Sequence, residues 1–487
     1  MQNSLLRAAS LLMLIFIPAV VSASGGDNVK SARKIISLLN EGKYKEVMSL
    51  FDSTMKKAAP ESRLRDVWVS LIKDSGNLEA QLQDTTFEVK GYDIVIVTCK
   101  FARSYQDIRL VFDKSGEVAG LFFSPHKDAS QQSGTTQNMK DHGQSEIHGA
   151  TYISRDVTFE NEDAHIKLAG TLTLPDSIGR FPAVLLIPGS GPMDRDETVM
   201  GHKIFLVLAD YLTRNGIAVL RVDDRGIGES TGNFQTATLK DFASDAMAGV
   251  RYLESLSEIK HNEIGLIGHS EGGIIAPMVA DESHHVAFMV LLGAPGLPGE
   301  RILTSQGALI MKANGAPDSI IEINRSLQQQ LFAVVKTEKD SAKAEQRLRK
   351  ILEDGLVRLG MVSAAQREEA SAFINGQLNF LLSPWMKSFL TYDPRPALEK
   401  VKCPVLALWG SKDLQVPPSE NLPAVEDALK KGGDEDIKTM ELDGLNHLFQ
   451  DAKTGSPTEY AAIQETFSPK ALSIIADWIA EKTRPAR

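Results

Sequence analysis

Residues Gly268-His269-Ser270-Glu271-Gly272 set a serine between two glycines, one two positions before it and one two positions after. Upstream, Glu263-Ile264-Gly265-Leu266-Ile267 reads as a short buried strand; downstream, Gly273-Ile274-Ile275-Ala276 opens a helix of small residues. A serine on so sharp a strand-to-helix turn is predicted to hold a strained backbone, with the glycines removing side chains that would clash. The strain lifts the hydroxyl clear of the sheet and brings the Glu271 N–H near the place where an oxyanion would form. A glycine-rich turn without chemistry could carry the same five residues. The strand before them and the helix after them favour a catalytic nucleophile.

A nucleophilic serine needs a base, and the base needs an orienting carboxylate. Val401 to Trp409 is an apolar strand that runs into Gly410-Ser411-Lys412-Asp413, which puts a carboxylate just past a strand end. Ile437 to Leu442 is another candidate strand, ending in Asp443-Gly444-Leu445-Asn446-His447. Beyond position 270 the only histidines are His284, His285 and His447. The first two precede the apolar run Val286 to Leu292, at the wrong end of that strand for a loop-borne base. His447 is therefore the base by elimination and by position. For the acid, Asp413 competes with Asp443, whose Asp-Gly pair suits a tight turn. Asp413 is preferred because it stands at a strand end. A second oxyanion donor is expected after the strand Phe181 to Ile187, in Pro188-Gly189-Ser190-Gly191-Pro192. Ser190 is the preferred N–H and Gly191 the alternative. Losing one such donor costs on the order of 3 kcal/mol of transition-state stabilisation.

With these residues in place, the chain from about Thr151 onward resembles an α/β-hydrolase, and within that superfamily the bacterial secreted serine esterases. The resemblance rests on P-G-S-G-P-M-D-R-D (188–196), R-V-D-D-R-G-I-G-E-S (221–230), G-H-S-E-G-G (268–273), G-S-K-D-L-Q-V-P (410–417) and G-L-N-H (444–447), in that order. It implies Ser270 as nucleophile, Asp413 as acid and His447 as base, with the N–H groups of Ser190 and Glu271 as oxyanion donors. The His-Gly-Gly-Gly loop of better-studied lipases is absent, so their preference for bulky or lipid substrates is not implied. Asp194, Arg195 and Asp196 are expected to be an ion-paired scaffold, and Asp224 and Arg225 a structural turn.

The whole chain has 487 residues, enough for two or three domains, and a soluble globular composition with 43% hydrophobic and 24% charged residues. A net charge of −10 argues against nucleic acid or an anionic membrane as partner. Arg7, the apolar stretch Leu11 to Val21 and the small-residue end Val21-Ser22-Ala23 read as a signal peptide over 1–23, and therefore as export to the periplasm or beyond. The two cysteines, Cys99 and Cys403, fall in separate strand-like runs and are expected as buried free thiols. No metal and no organic cofactor is expected, and the partner is a small-molecule ester.

Residues 28–124 lie outside the esterase motifs. Helical patterns at Ala32–Leu39, Tyr44–Met55 and Pro60–Leu71 precede strand patterns at Leu78–Val89, Ile94–Ala102, Asp107–Phe112 and Val118–Phe123. That order resembles the small α+β domains of the nuclear-transport-factor or cystatin kind. Residues 125–150 are rich in Ser, Gln, Gly, Asp and His and read as a flexible linker. In the hydrolase part (151–487), apolar strands alternate with helices, the pattern of a mostly parallel sheet. A helical insertion over about 297–390 is placed where the superfamily carries a cap. Its apolar residues are expected to line an acyl pocket, though most must pack the cap's own core, and its acids, including Glu300, Glu322 and Asp354, leave open an amine-gripping aminopeptidase. The reading from a different class is a catalytically inactive hydrolase fold that serves as a binding protein, against which the intact set Ser270, Asp413 and His447 weighs.

Overall fold

A computed structural model of the chain describes residues 26–52, 55–56, 60–89, 92–113, 116–125, 152–283, 285–359 and 370–484. The expected signal segment 1–23, nearly all of the expected linker 125–150, and His284 lie outside the described residues. The described residues fall into two compact units.

The first unit opens with α1 (Gly26–Asn40), α2 (Tyr44–Ser49) and α3 (Glu61–Ser75). An antiparallel sheet follows, β1 (Leu78–Val89), β2 (Tyr92–Phe101), β3 (Tyr105–Phe112) and β4 (Val118–Pro125), paired in chain order. Strand β3 alternates strictly, burying Gln106, Ile108, Leu110 and Phe112 on the face where Ile35, Leu39 and Trp68 of the helices pack. Helix α2 stops at Ser49, short of the expected Met55. The chain turns there into a bridge between Phe51 and Val118, with Asp52 N–H donating to the Val118 carbonyl at 2.9 Å.

The second unit begins with the antiparallel pair β5 (Ile153–Asn161) and β6 (Ile166–Leu174), then β7 (Phe181–Ile187) and a small hairpin, β8 (Thr198–Val199) and β9 (His202–Lys203). Next come α4 (Ile204–Arg214), β10 (Ala218–Val222), α5 (Leu239–Ser255), β11 (Ile259–His269), α6 (Gly272–Glu282) and β12 (Val286–Leu292). The insertion supplies α7 (Gly299–Ala313), α8 (Asp318–Thr337), α9 (Ser341–Arg358), α10 (Ser371–Leu381) and α11 (Pro384–Thr391). Residues 360–369 of the insertion lie outside the described residues. After α12 (Arg395–Leu398) the chain closes through β13 (Val405–Gly410), α13 (Pro418–Lys431), β14 (Ile437–Leu442) and α14 (Pro469–Lys482).

The eight-stranded sheet has the order β14-β13-β12-β11-β7-β10-β6-β5 and is parallel from β10 to β14. Its strands read as unbroken apolar runs because both faces are covered. In β7, Ala183, Leu185 and Ile187 join the core beneath α5, α6 and α13, while Val184 and Leu186 join the core beneath α4 and α14. Parallel strands end on one edge, so the loops after β7, β11, β13 and β14 gather there. Strand β13 starts at Val405, later than the expected Val401, because Pro404 has no N–H to give a ladder.

Candidate active site

Ser270 sits between β11 and α6 with φ of +53°, a left-handed conformation that a side chain adopts at a cost of about 1–3 kcal/mol. Close packing imposes it. A Cβ on Gly268 would lie 2.1 Å from the Gly272 carbonyl oxygen, and one on Gly272 would lie 2.0 Å from that of Ile187. The turn is anchored by the Ser270 N–H donating to the Leu292 carbonyl at 2.8 Å. The residue is half-buried, and its hydroxyl has no hydrogen-bond partner among the described residues. Serine–base bonds of this kind commonly tighten only when substrate arrives.

Asp413 Oδ2 is 2.7 Å from His447 Nδ1, and both residues are buried. Oδ1 of Asp413 accepts the N–H groups of Gln415 and Val416, each at 2.8 Å, so the carboxylate is fixed by its own turn. Asp443, the competing acid, is exposed and among the described residues meets only the Ser411 hydroxyl, at 3.4 Å. The base loop is pinned by buried Asn446, whose Oδ1 accepts the N–H groups of Leu448 at 2.9 Å and Gln450 at 3.0 Å. Gly293, at the end of β12 with φ of +57°, leaves room for the pair. A Cβ there would come within 3.1 Å of His447 Nδ1 and 3.2 Å of Asp413 Oδ2. Since Ser270 is bonded to Leu292, the residue before this glycine, serine, acid and base converge on one corner.

The N–H of Glu271, first residue of the turn into α6, and the N–H of Ser190 have no acceptor among the described residues. The Gly191 N–H also lacks one, whereas that of Gly189 is occupied by Glu197 at 2.6 Å. Free donors therefore occur on the residue after Ser270 and on the loop whose Gly189 packs against Ser270, and N–H groups so left open are the kind that receive a developing oxyanion.

Three residues of the site were not anticipated from sequence. His269 Nδ1 is 2.8 Å from Glu197 Oε1, and its Nε2 is 3.0 Å from the His447 carbonyl oxygen. Glu197 itself is 1% exposed, with φ of +47°. Trp385 of α11 donates its indole N–H to Glu271 Oε2 at 2.6 Å and stacks on Phe389 at 5.0 Å. Burial pushes the Glu271 carboxyl up to about 8, against a smaller lowering by the Trp385 bond. Glu197 hides in sequence within a charged run; the signal for His269 is a polar residue closing an apolar strand.

The charged cluster beside the oxyanion loop is ion-paired scaffold. Arg195 meets Asp223 at 2.6 Å, Asp156 at 3.1 Å and Glu229 at 3.2 Å, and Asp196 pairs with Arg221 and Lys203. Arg225 is held by Asp241 and Asp245, while Asp224 accepts the Met193 N–H at 3.0 Å. The cap acids are spent on neighbours within the cap: Glu300 on Lys336, Glu322 on Arg325 and Asp354 on Lys350. A cavity beside the site is bounded by Gly189, Glu271, Asp224, Phe242, Ile275 and Val222. No cap residue lines this cavity, and Ile302, Leu331, Leu352 and Leu378 pack the cap's own core, as expected of most of its apolar residues. Among the described residues no His, Cys, Asp and Glu cluster could hold a metal ion. Neither Cys99 nor Cys403 is in a disulfide, and burial pushes the Cys403 thiol up to about 12.

A mostly parallel sheet with helices on both faces, a helical insertion after β12 and a serine on a strained turn at a strand end make the α/β-hydrolase fold. The profile described as "Serine aminopeptidase, S33" matches residues 202–367, spanning Ser270 and ending before Asp413 and His447. A profile described as a protein of unknown function, DUF3887, matches residues 32–121, within the small α+β unit. Esterase EstD of Thermotoga maritima is 25% identical over 456 residues, covering 91% of this chain and 93% of its own, so the similarity takes in both units. Among solved structures, the α/β-hydrolase GrgF from Penicillium sp. sh18 aligns with a TM-score of 0.42 and 18% identity, over 68% of this chain and 99% of its own. An esterase from Pyrococcus furiosus aligns with a TM-score of 0.41 and 15% identity, over 68% and 92%. The protein is a hydrolase.

Proposed function

We propose that this hydrolase is an exported serine carboxylesterase acting on small to medium acyl esters. The observation that carries the proposal is the 2.7 Å contact of Asp413 with His447 at the corner where Ser270 stands with φ of +53°. With Nδ1–H held by Asp413, the His447 Nε2 is left to take the Ser270 proton as Oγ attacks the acyl carbon. The N–H groups of Glu271 and Ser190 receive the oxyanion. Collapse expels the alcohol with a proton from His447 and leaves an acyl-enzyme. His447 then activates a water that releases the acid. The esterase name of the Thermotoga relative supports ester over amide. The pattern of residues 1–23 supports export, and a mature mass beginning at Ser24 would test it.

A serine aminopeptidase is the second reading, favoured by the description of the matched profile and by Glu271 and Asp224 beside the cavity. Burial raises both carboxyls, Asp224 well above its ordinary value, so neither offers a ready negative charge to an ammonium group. That weighs toward the esterase. Hydrolysis rates for aryl esters of increasing acyl length, measured beside an aminoacyl anilide, decide between the two. Faster turnover of the esters supports the proposal; a preference for the anilide replaces it with the peptidase.

A further inference from the structure

We propose that Glu197 and His269 form a buried ion pair that holds the oxyanion loop and the base loop against each other, acting as positioning residues for the reaction proposed above. Both nitrogens of His269 face acceptors, a carboxylate oxygen at 2.8 Å and a backbone carbonyl at 3.0 Å. A neutral imidazole carries one N–H and can serve only one of them without a proton from Glu197. Glu197 Oε1 already accepts the Gly189 N–H at 2.6 Å, which favours charge on that oxygen and the proton on His269. Glu197 Oε2 is buried with no partner among the described residues, a cost that an apolar scaffold residue such as leucine would avoid.

The pair touches three parts of the site. Glu197 fixes Gly189, the residue before the Ser190 donor. A Cβ on Gly189 would sit 3.0 Å from Glu197 Oε1 and 3.2 Å from Ser270 Cβ, so any larger residue would have to push these neighbours back by a few tenths of an ångström. His269 directly precedes Ser270. Its Nε2–H holds the carbonyl of His447, whose ring lies 4.9 Å away. The titratable groups facing His269 are Glu197 after β7, Asp413 after β13 and His447 after β14. Burial opposes its charge, but Glu197, the His447 carbonyl and Asp413 raise its pKa above the ordinary 6.5. A raised pKa means the two-sided hold is complete below the ordinary value of 6.5 and is lost as pH rises through the folded value.

The test uses the full chain with ring-15N-labelled histidine, the His269 signals being assigned from their loss in His269→Gln. Both ring nitrogens should carry protons at neutral pH, and Glu197→Gln should lower the titration midpoint by about 1–3 units. In the same variant kcat on an aryl ester should fall by about 10²-fold with KM nearly unchanged, since small misplacement of catalytic groups acts on the transition state. Its alkaline limb should move to lower pH with the His269 midpoint. A singly protonated His269 at neutral pH overturns the proposal, and that measurement needs only the wild type should Glu197→Gln fail to fold. Unchanged kcat, or a rise in KM alone, overturns it as well. A wild type inactive on esters sinks the esterase reading and leaves the titration result standing.

Discussion

The indole N–H of Trp385 lies 2.6 Å from the Glu271 carboxylate, so the last cap helix is tied to the residue that follows Ser270. Glu271 therefore carries both an oxyanion donor on its backbone and the cap's anchor on its side chain.

Because burial lifts the Glu271 carboxyl from 4.5 to about 8, it is neutral in the fold across that interval while the unfolded chain is ionised. Its contribution to stability is complete below the unfolded value, falls as pH rises to about 8, and is constant above. Glu271→Gln keeps an acceptor for Trp385 and cannot ionise. Its thermal midpoint relative to wild type should climb between about pH 5 and about pH 8 and then level off. A difference independent of pH contradicts the assigned neutral state.

Asp413→Ala should lower kcat by on the order of 10⁴-fold, as loss of the orienting carboxylate does elsewhere. Asp443→Ala, at an exposed turn, should stay within about twofold of wild type and change stability by about 0.5 kcal/mol or less. Kinetics on one aryl ester with both variants check this. A collapse confined to Asp443→Ala names the wrong acid.

The cavity walls at Phe242 and Ile275 should set acyl length more than the cap does. Each methylene buried there gains about 0.8 kcal/mol, so Ile275→Phe should shift the preferred chain downward by one or two carbons and Phe242→Ala upward. An unmoved optimum in both variants, measured across a homologous series of esters, removes the cavity as the acyl site.

A chain starting at Thr151 should fold and turn over ester by itself. The small unit has its own core around Ile35, Trp68 and Phe112, and the hydrolase cores contain none of its residues. Circular dichroism and kcat on the truncated protein check this. A soluble but inactive product assigns the small unit a part in catalysis.

Much of this architecture is legible in the sequence because it is local. Period-two runs bounded by turns gave every strand of the small unit, and unbroken apolar runs gave the parallel core, since both faces of β7 are buried. Asp413 and His447 could be found because each stands a few residues past a strand. Strand β11 begins at Ile259, earlier than the apolar run showed, because the polar Lys260-His261-Asn262 at its start break the apolar pattern. What stayed hidden is pairing across the fold. Glu197 and His269 are 72 residues apart and meet because β7 and β11 are neighbours in the sheet, an order that periodicity does not carry. Trp385 and Glu271 are 114 apart, and Trp385 belongs to a short helix that the insertion's longer patterns masked. The cap acids misled for a related reason. Their partners lie on the cap's own helices, some of them only three or four residues away.

The central claim is that Ser270 is the nucleophile, and active-site labelling tests it most directly. The full chain treated with a fluorophosphonate and digested should carry the adduct on the peptide containing Gly268-His269-Ser270-Glu271-Gly272. Labelling and ester hydrolysis should vanish together in Ser270→Ala, with the circular dichroism of the protein unchanged. Unlabelled Ser270 in a folded wild type, or ester hydrolysis that survives Ser270→Ala, would contradict the account.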